Sequence, residues 1–222
     1  MGHLCTMLKP DYDWKPRLGL VIFLLVSLLV FGAYVGINGK AGSFRLLTVY
    51  HSPGTDLFFR YFTHLGDGVF ILFLAALLAL LRRYFLSIGI VAGYLASGLF
   101  AQMGKRLYAA PRPKAFFEEL GQTVYEVPGV EVHLSNSFPS GHTASVFALA
   151  VFLMLALPKK WYSLLLILGA MAVGYSRIYL SQHFPTDVLA GAIIGSLSGA
   201  GVFFLLTKYF KVPKPGIDTQ NG

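Results

Sequence analysis

The chain has 222 residues, of which 55% are hydrophobic and only 13% are charged, and its net charge is +8. A soluble domain of this length rarely carries so many apolar residues in unbroken runs, so the composition indicates an integral membrane protein. The single cysteine, Cys5, excludes an internal disulfide and a thiolate metal cluster. In a membrane protein the positive charge points to anionic lipid headgroups or a phosphorylated substrate, and not to nucleic acid.

Apolar runs along the chain predict an all-α polytopic membrane protein with six transmembrane helices in a bundle. The first run is about 20 residues long, which is the length that a bilayer core requires. Small residues recur every four positions in the third and sixth runs, a pattern typical of close helix packing in lipid. The predicted spans cover residues 18–37, 68–81, 85–104, 143–157, 161–176 and 188–206. The small residues are Gly89, Gly93 and Ser97, and Gly191, Gly195 and Gly199.

The segments between the spans are more polar. Residues 38–66 are predicted to form a mixed loop with a turn at Pro53-Gly54. Residues 105–142 form the longest polar connection, and residues 114–120 within it are predicted to form one amphipathic helical turn on the membrane. We expect one membrane domain over residues 1–210 and a disordered cytoplasmic tail over residues 211–222, which has little to bury.

Six spans place both termini on the same side of the membrane. That side also carries two short loops with basic pairs, Arg82-Arg83 and Lys159-Lys160, so the positive-inside rule places both termini in the cytoplasm. Three polar clusters then share the outer face: Lys105–Pro113, Pro139–His142 and Ser176–Asp187. Their common side follows from the number of spans alone.

The third cluster reads SRIYLSQHFPTD and contains Arg177, His183 and Asp187. If a helix begins near Pro185, Asp187 falls in its first turn, where the helix dipole favours a carboxylate. From there the carboxylate can reach back to the ring of His183. A histidine held in this way is fixed in one tautomer, and its other nitrogen is free to attack or to abstract a proton. The alternative is a water-facing loop of ordinary polar residues.

The second cluster, PSGH, comes directly before the fourth span. Ser140 is a natural N-cap, and Gly141 lets the backbone approach a ligand closely. The N–H groups of such a helix start bind anions, and His142 beside them is placed to give or take a proton. The alternative is a plain helix cap with an interfacial histidine.

Three permanent cations, Lys105, Arg112 and Arg177, share the predicted outer face. They would repel one another without an anion, and arginine favours phosphate through its planar fork of donors. The alternative is that they contact lipid headgroups. Together with two histidines and a helix start they predict phosphoryl transfer, with one histidine as nucleophile and the other protonating the leaving oxygen. Carboxylates are sparse in the clusters, so we expect no catalytic metal and no cofactor.

The three motifs together resemble the type 2 phosphatidic acid phosphatase family. Its pattern is matched by Lys105 with Arg112-Pro113, by Pro139 to His142, and by Ser176-Arg177 with His183 and Asp187. The resemblance implies a metal-independent enzyme with a six-helix core. It implies that His183 is the nucleophile, Asp187 its orienting partner and His142 the general acid. It also implies a phosphate pocket formed by Lys105, Arg112, Ser140, Gly141 and Arg177.

The expected function is therefore a lipid phosphatase at the outer face of a bacterial inner membrane. The expected substrates are undecaprenyl diphosphate, phosphatidylglycerol phosphate, phosphatidate or a lipid A phosphate, with a preference for a polyprenyl diphosphate on family grounds. The 114–136 connection is expected to shape lipid choice. A phosphotransferase with another acceptor is the first alternative. A transporter of a phosphorylated solute is disfavoured because the spans lack charged residues near mid-membrane.

Overall fold

The computed structural model describes residues 15–157 and 160–209, and all regular structure in these two ranges is helical. A 3-10 turn, Thr63–Gly66, joins the second helix to the third. The all-α prediction is therefore confirmed for the described ranges, whereas the predicted tail, 211–222, lies outside them. In chain order the helices are α1 (Lys15–Leu47), α2 (Pro53–Phe62), α3 (Gly68–Leu80), α4 (Tyr84–Tyr108), α5 (Pro113–Glu119), α6 (Gly141–Ala156), α7 (Lys160–Tyr179) and α8 (Pro185–Tyr209).

Each of the six predicted spans coincides with a helix, but not every helix is long enough to cross a bilayer. Among the described helices, four are long and apolar enough by themselves, namely α1, α4, α7 and α8. A fifth candidate span consists of two segments: α2 with its 3-10 turn, and α3. The two segments are bent by 56° relative to each other. Helix α6 has 16 residues, so it is only about 24 Å long. The structure thus supports four or five spans by length and composition, and it leaves the count of six unconfirmed.

The prediction of a loop over residues 38–66 is wrong. Helix α1 continues to Leu47 across a kink at Gly39, whose φ of 67° and ψ of 175° are not helical. Glycine adopts a positive φ without steric cost, so the chain bends there and resumes its helix. Helix α2 then begins behind Ser52, which forms a capping box with Thr55. The amphipathic turn predicted at 114–120 is present as α5.

Helix α6 lies at the centre of the bundle, and every side chain from Thr143 to Ala156 is buried. A helix surrounded by protein on all faces needs no lipid-facing length, which explains why α6 is shorter than a bilayer core. The predicted small-residue stripe of α8 packs directly on it. A Cβ atom at Gly191 would lie 2.5 Å from the carbonyl oxygen of Ser140, and one at Gly195 or Gly199 would collide with the carbonyls of Ala144 and Ala148.

Candidate active site

His183 lies in the turn between α7 and α8, and its side chain is buried. Its Nδ1 atom faces Oδ2 of Asp187 at 3.7 Å. Asp187 stands in the first turn of α8, as predicted, where the helix dipole stabilises its negative charge. The distance is longer than a hydrogen bond, as is common in catalytic pairs before a substrate binds. The structure therefore brings His183 and Asp187 close together, and the roles of the two residues stay predictions.

Three donors hold the Asp187 carboxylate in place. The Ser137 hydroxyl donates to Oδ2 at 2.5 Å, and the backbone N–H of Phe184 donates to the same oxygen at 3.0 Å. The Thr186 hydroxyl donates to Oδ1 at 3.1 Å. These hydrogen bonds keep the carboxylate from rotating away from the His183 ring. Sequence reasoning missed Ser137, which is fully buried; its only signal was its position three residues before Ser140.

The environment of His183 keeps its ring neutral. Burial lowers the pKa of His183 because the imidazolium ion loses its hydration. Asp187 opposes this shift, whereas the positive charges of Arg177 and Arg112 add to it. A neutral ring whose Nδ1 faces a carboxylate has its lone pair on Nε2, which is the state that a nucleophile requires.

Arg177 occupies the last turn of α7, and only 8% of it is exposed. Its Nη1 atom donates to the hydroxyl of Thr63 at 2.8 Å. Its Nε atom is buried and finds no hydrogen-bond partner in the described part of the chain. A buried guanidinium donor without an acceptor is costly, so this group favours an anion that enters the site.

Arg112 is held rigidly at the start of α5. Its Nε atom donates to the carbonyl of Ser135 at 2.8 Å, and its Nη1 atom donates to the backbone and side-chain oxygens of Gln182 at 3.1 and 2.9 Å. Lys105 lies in the last turn of α4. Its charge and those of Arg112 and Arg177 repel one another, so the three predicted cations are close in space.

The PSGH segment forms the start of α6. Ser140 is the N-cap residue, as predicted, but its hydroxyl accepts a bond from the Thr143 hydroxyl at 2.9 Å and caps no backbone N–H. The first-turn amides therefore have no side-chain cap. The N–H of Ser140 donates to the carbonyl of Asp187 at 3.0 Å, which ties the starts of α6 and α8 together. A Cβ atom at Gly141 would lie 3.8 Å from Nζ of Lys105, so the lysine also reaches this segment.

His142 is half-buried, and its Nε2 atom lies 3.8 Å from Oδ2 of Asp67. Asp67 precedes α3 and was missed by sequence reasoning, because its position in the chain is remote from the three motifs. His142 also interacts electrostatically with Arg177, Lys105 and His183. All eight predicted site residues therefore gather at one end of the bundle, around the start of α6. The residues are Lys105, Arg112, Ser140, Gly141, His142, Arg177, His183 and Asp187.

Residues 15–157 and 160–209 contain no group of three or more His, Cys, Asp or Glu side chains that could hold a metal ion. The donors around the start of α6 are mainly cationic, a chemistry that suits an anion better than a cation. Metal independence stays a prediction, to be tested with a chelator.

Known proteins resemble this chain over most of its length. The PAP2 superfamily model matches residues 82–211. The lipid A 4'-phosphatase of Bacteroides thetaiotaomicron is 32% identical over 166 residues, which cover 71% of this chain and 72% of that protein. The undecaprenyl-diphosphatase of Sulfolobus acidocaldarius is 29% identical over 180 residues, or 80% of this chain and 84% of that one. The crystal structure of Aquifex aeolicus LpxE superposes with a TM-score of 0.65 at 30% identity, covering 74% of this chain and 94% of that chain.

The chain belongs to the PAP2 superfamily. This confirms the family that the three motifs indicated, since all of them lie inside the matched region. The apolar helices and the names of the relatives also support the prediction of an integral membrane phosphatase. The roles of the individual site residues stay predictions.

Proposed function

We propose that this protein hydrolyses a phosphomonoester or diphosphate of a membrane lipid through a phosphohistidine formed on His183. One observation carries the proposal. Two histidines, His183 and His142, each face a carboxylate, at 3.7 and 3.8 Å, beside three cations and the start of a central helix. This arrangement supplies a nucleophile, a proton donor and an anion pocket at one place.

In the first step, Nε2 of His183 attacks the phosphorus atom while Asp187 holds Nδ1. The bond from phosphorus to the lipid oxygen breaks, and His142 gives a proton to that oxygen. In the second step, His142 takes a proton from water, whose oxygen attacks phosphorus. The phosphorus–nitrogen bond breaks, and phosphate and neutral His183 are released. The cations offset the negative charge that spreads over the phosphoryl oxygens in both steps.

The proposed setting is the outer face of a bacterial inner membrane, with both termini in the cytoplasm. Six crossing segments fit this setting if α3 with its bent partner segment and the buried α6 each count as one. The basic pairs near residues 82 and 159 support the orientation through the positive-inside rule. A site at the end of the bundle lets a phosphate headgroup enter from water while its apolar tail stays in lipid.

The proposed substrates are undecaprenyl diphosphate, phosphatidylglycerol phosphate, phosphatidate and lipid A phosphates. The activities named for the relatives from Sulfolobus acidocaldarius and Bacteroides thetaiotaomicron support the first and the last of these classes. The 114–136 segment is proposed to select among them because it is bonded to the site. Nε2 of Gln182, which holds Arg112, donates to the carbonyl of Glu131 at 2.8 Å. Exchanging this segment with that of a relative should change the order of lipid preference.

The test is phosphate release by the purified protein in detergent, with EDTA present, across these four lipid classes. His183→Ala should abolish release. His133→Ala is the control for the loss of a histidine ring and should keep phosphate release, since His133 is an exposed histidine with 61% side-chain accessibility. Only the presence of release is compared for this variant, because His133 lies within the 114–136 segment. A phosphohistidine should be trapped in the wild type and be absent from His183→Ala. Release that requires an added lipid alcohol would indicate phosphotransfer. A requirement for magnesium, or substantial activity in His183→Ala, would contradict the mechanism.

A further inference from the structure

A carboxylate outside the three motifs faces the second histidine of the site. Asp67 is the N-cap residue of α3, and its Oδ1 atom accepts a hydrogen bond from the N–H of Val69 at 3.0 Å. Its other oxygen, Oδ2, lies 3.8 Å from Nε2 of His142. The cap bond fixes the rotation of the side chain, so the second oxygen is held towards the imidazole ring.

The turn that carries Asp67 is fastened to the site by two further contacts. A Cβ atom at Gly66 would lie 2.8 Å from the carbonyl oxygen of His142, so the backbone of the turn packs directly on the start of α6. Thr63, at the beginning of the same turn, accepts the Nη1 bond of Arg177 at 2.8 Å. The position of Asp67 relative to His142 is therefore set by backbone packing and does not depend on a flexible loop.

The charges around His142 make this carboxylate important for the protonation of the ring. Burial is the largest cause that lowers the pKa of His142, and the charges of Arg177 on α7, His183 between α7 and α8, His64 in the 3-10 turn and Lys105 on α4 lower it further. In the described part of the chain, Asp67 is the acidic residue within 4 Å of this ring. A general acid must be protonated before the leaving oxygen departs. Protonation of the ring therefore requires negative charge beside it, which Asp67 supplies at 3.8 Å from Nε2 and an entering phosphate group adds to.

We infer that Asp67 is a positioning residue that holds the Nε2–H group of His142 and keeps the proton on its Nδ1 atom available for the leaving lipid oxygen. This inference rests on the proposed function. Each of the two histidines is then positioned by its own carboxylate. Asp187 keeps His183 ready to attack phosphorus, and Asp67 keeps His142 ready to donate a proton. As the phosphorus–oxygen bond breaks, the Nδ1 proton moves to the lipid oxygen and the Nε2 proton stays with the ring beside Asp67.

The test uses Asp67→Asn and Asp67→Ser, because both residues are good N-caps and preserve the start of α3. Each variant is assayed on phosphatidate, whose alkoxide leaving group needs a proton, and on p-nitrophenyl phosphate, whose phenolate leaving group does not. We expect kcat/KM on phosphatidate to fall about 10- to 100-fold. On p-nitrophenyl phosphate we expect it to fall less than about threefold, because little proton donation is needed there. In the profile of kcat/KM against pH on phosphatidate, the alkaline limb should move to lower pH, and the acid limb should not move.

His142→Ala provides the internal control. Asp67 also interacts electrostatically with Arg177, so a second route to the site exists. In a protein that already lacks the His142 ring, Asp67→Asn should cause no further loss on phosphatidate, because the inference assigns the effect of Asp67 to that ring and not to Arg177. Equal losses on the two substrates, an unchanged alkaline limb, or an additional loss in the His142→Ala background would overturn the inference. Failure of the wild type to release phosphate from any lipid is a separate result, because it would refute the proposed function itself.

Discussion

Replacing Gly191, which is not itself a residue of the site, by alanine should damage the site through helix packing. The added Cβ atom would lie 2.5 Å from the carbonyl oxygen of Ser140 and 3.1 Å from Cβ of Thr143. An ordinary van der Waals contact begins at about 3.4 Å, so α8 must move away from α6 by about 1 Å. Overpacking of this kind costs about 1–3 kcal/mol of stability. Because Asp187 is one turn before Gly191, the movement also shifts Asp187 and His183 relative to Ser140 and His142.

A misplacement of about 1 Å between reacting groups can cost about 100-fold in rate. We therefore expect Gly191→Ala to lower kcat/KM on a lipid phosphate by about that factor and to lower the unfolding temperature in detergent. Gly201→Ala is the matched control. It lies on the same helix, and nothing lies within 4 Å of its added Cβ atom. This variant should keep full activity and gain up to about 1 kcal/mol from the better helix propensity of alanine.

The reasoning would be refuted if Gly191→Ala kept activity within about threefold of the wild type, because a displacement of about 1 Å should be felt at this site. It would also be refuted if Gly201→Ala lost as much activity as Gly191→Ala. In that case the loss would come from side chains on α8 in general and not from the contact with Ser140.

Two further predictions concern the nucleophile. Asp187→Asn should lower kcat at least about 100-fold, because the charge that orients His183 is lost. The protein should stay folded, since the Ser137 and Phe184 donors can still bond the amide oxygen. The rate of phosphohistidine formation in a single turnover measures the effect, and an unchanged rate would exclude an orienting role for Asp187. Because burial lowers the pKa of His183, its attacking neutral form persists below the usual histidine range, and kcat/KM should fall only as the pH drops below about 6.5. An acid limb above pH 7 would contradict this sign. In Asp187→Asn the acid limb should move lower still, since the carboxylate that favours the protonated ring is lost.

The motif residues could be predicted from the sequence because their chemistry and their side of the bundle follow from local patterns. A histidine four residues before an aspartate, at a helix start, places the two side chains in reach of each other, and the structure has this pair at 3.7 Å. The small-residue stripe of α8 likewise required only periodicity. In both cases the information lies within a few residues of the site it describes.

The partners of the motif residues could not be predicted in the same way. Asp67 and Thr63 come from a segment more than 70 residues before His142, and only the packing of Gly66 on α6 brings them to the site. The sequence predicts a loop over residues 38–66, so it does not indicate that this segment packs on the site, whereas in the structure α1 continues through the kink at Gly39. A kink and a helix stop share the same glycine signal, and tertiary packing decides between them.

The geometry of the site also explains why so much positive charge can be held in an apolar bundle. The N–H of Ser140 donates to the carbonyl of Asp187, so the N-termini of α6 and α8, which carry partial positive charge, lie beside each other. Arg177 adds a buried guanidinium whose Nε atom has no acceptor in the described residues. Close packing along the glycine stripe fixes this arrangement and prevents the helices from separating to relieve the repulsion. An entering phosphate group supplies the missing negative charge, and the charge that grows on it in the transition state makes the same contacts stronger.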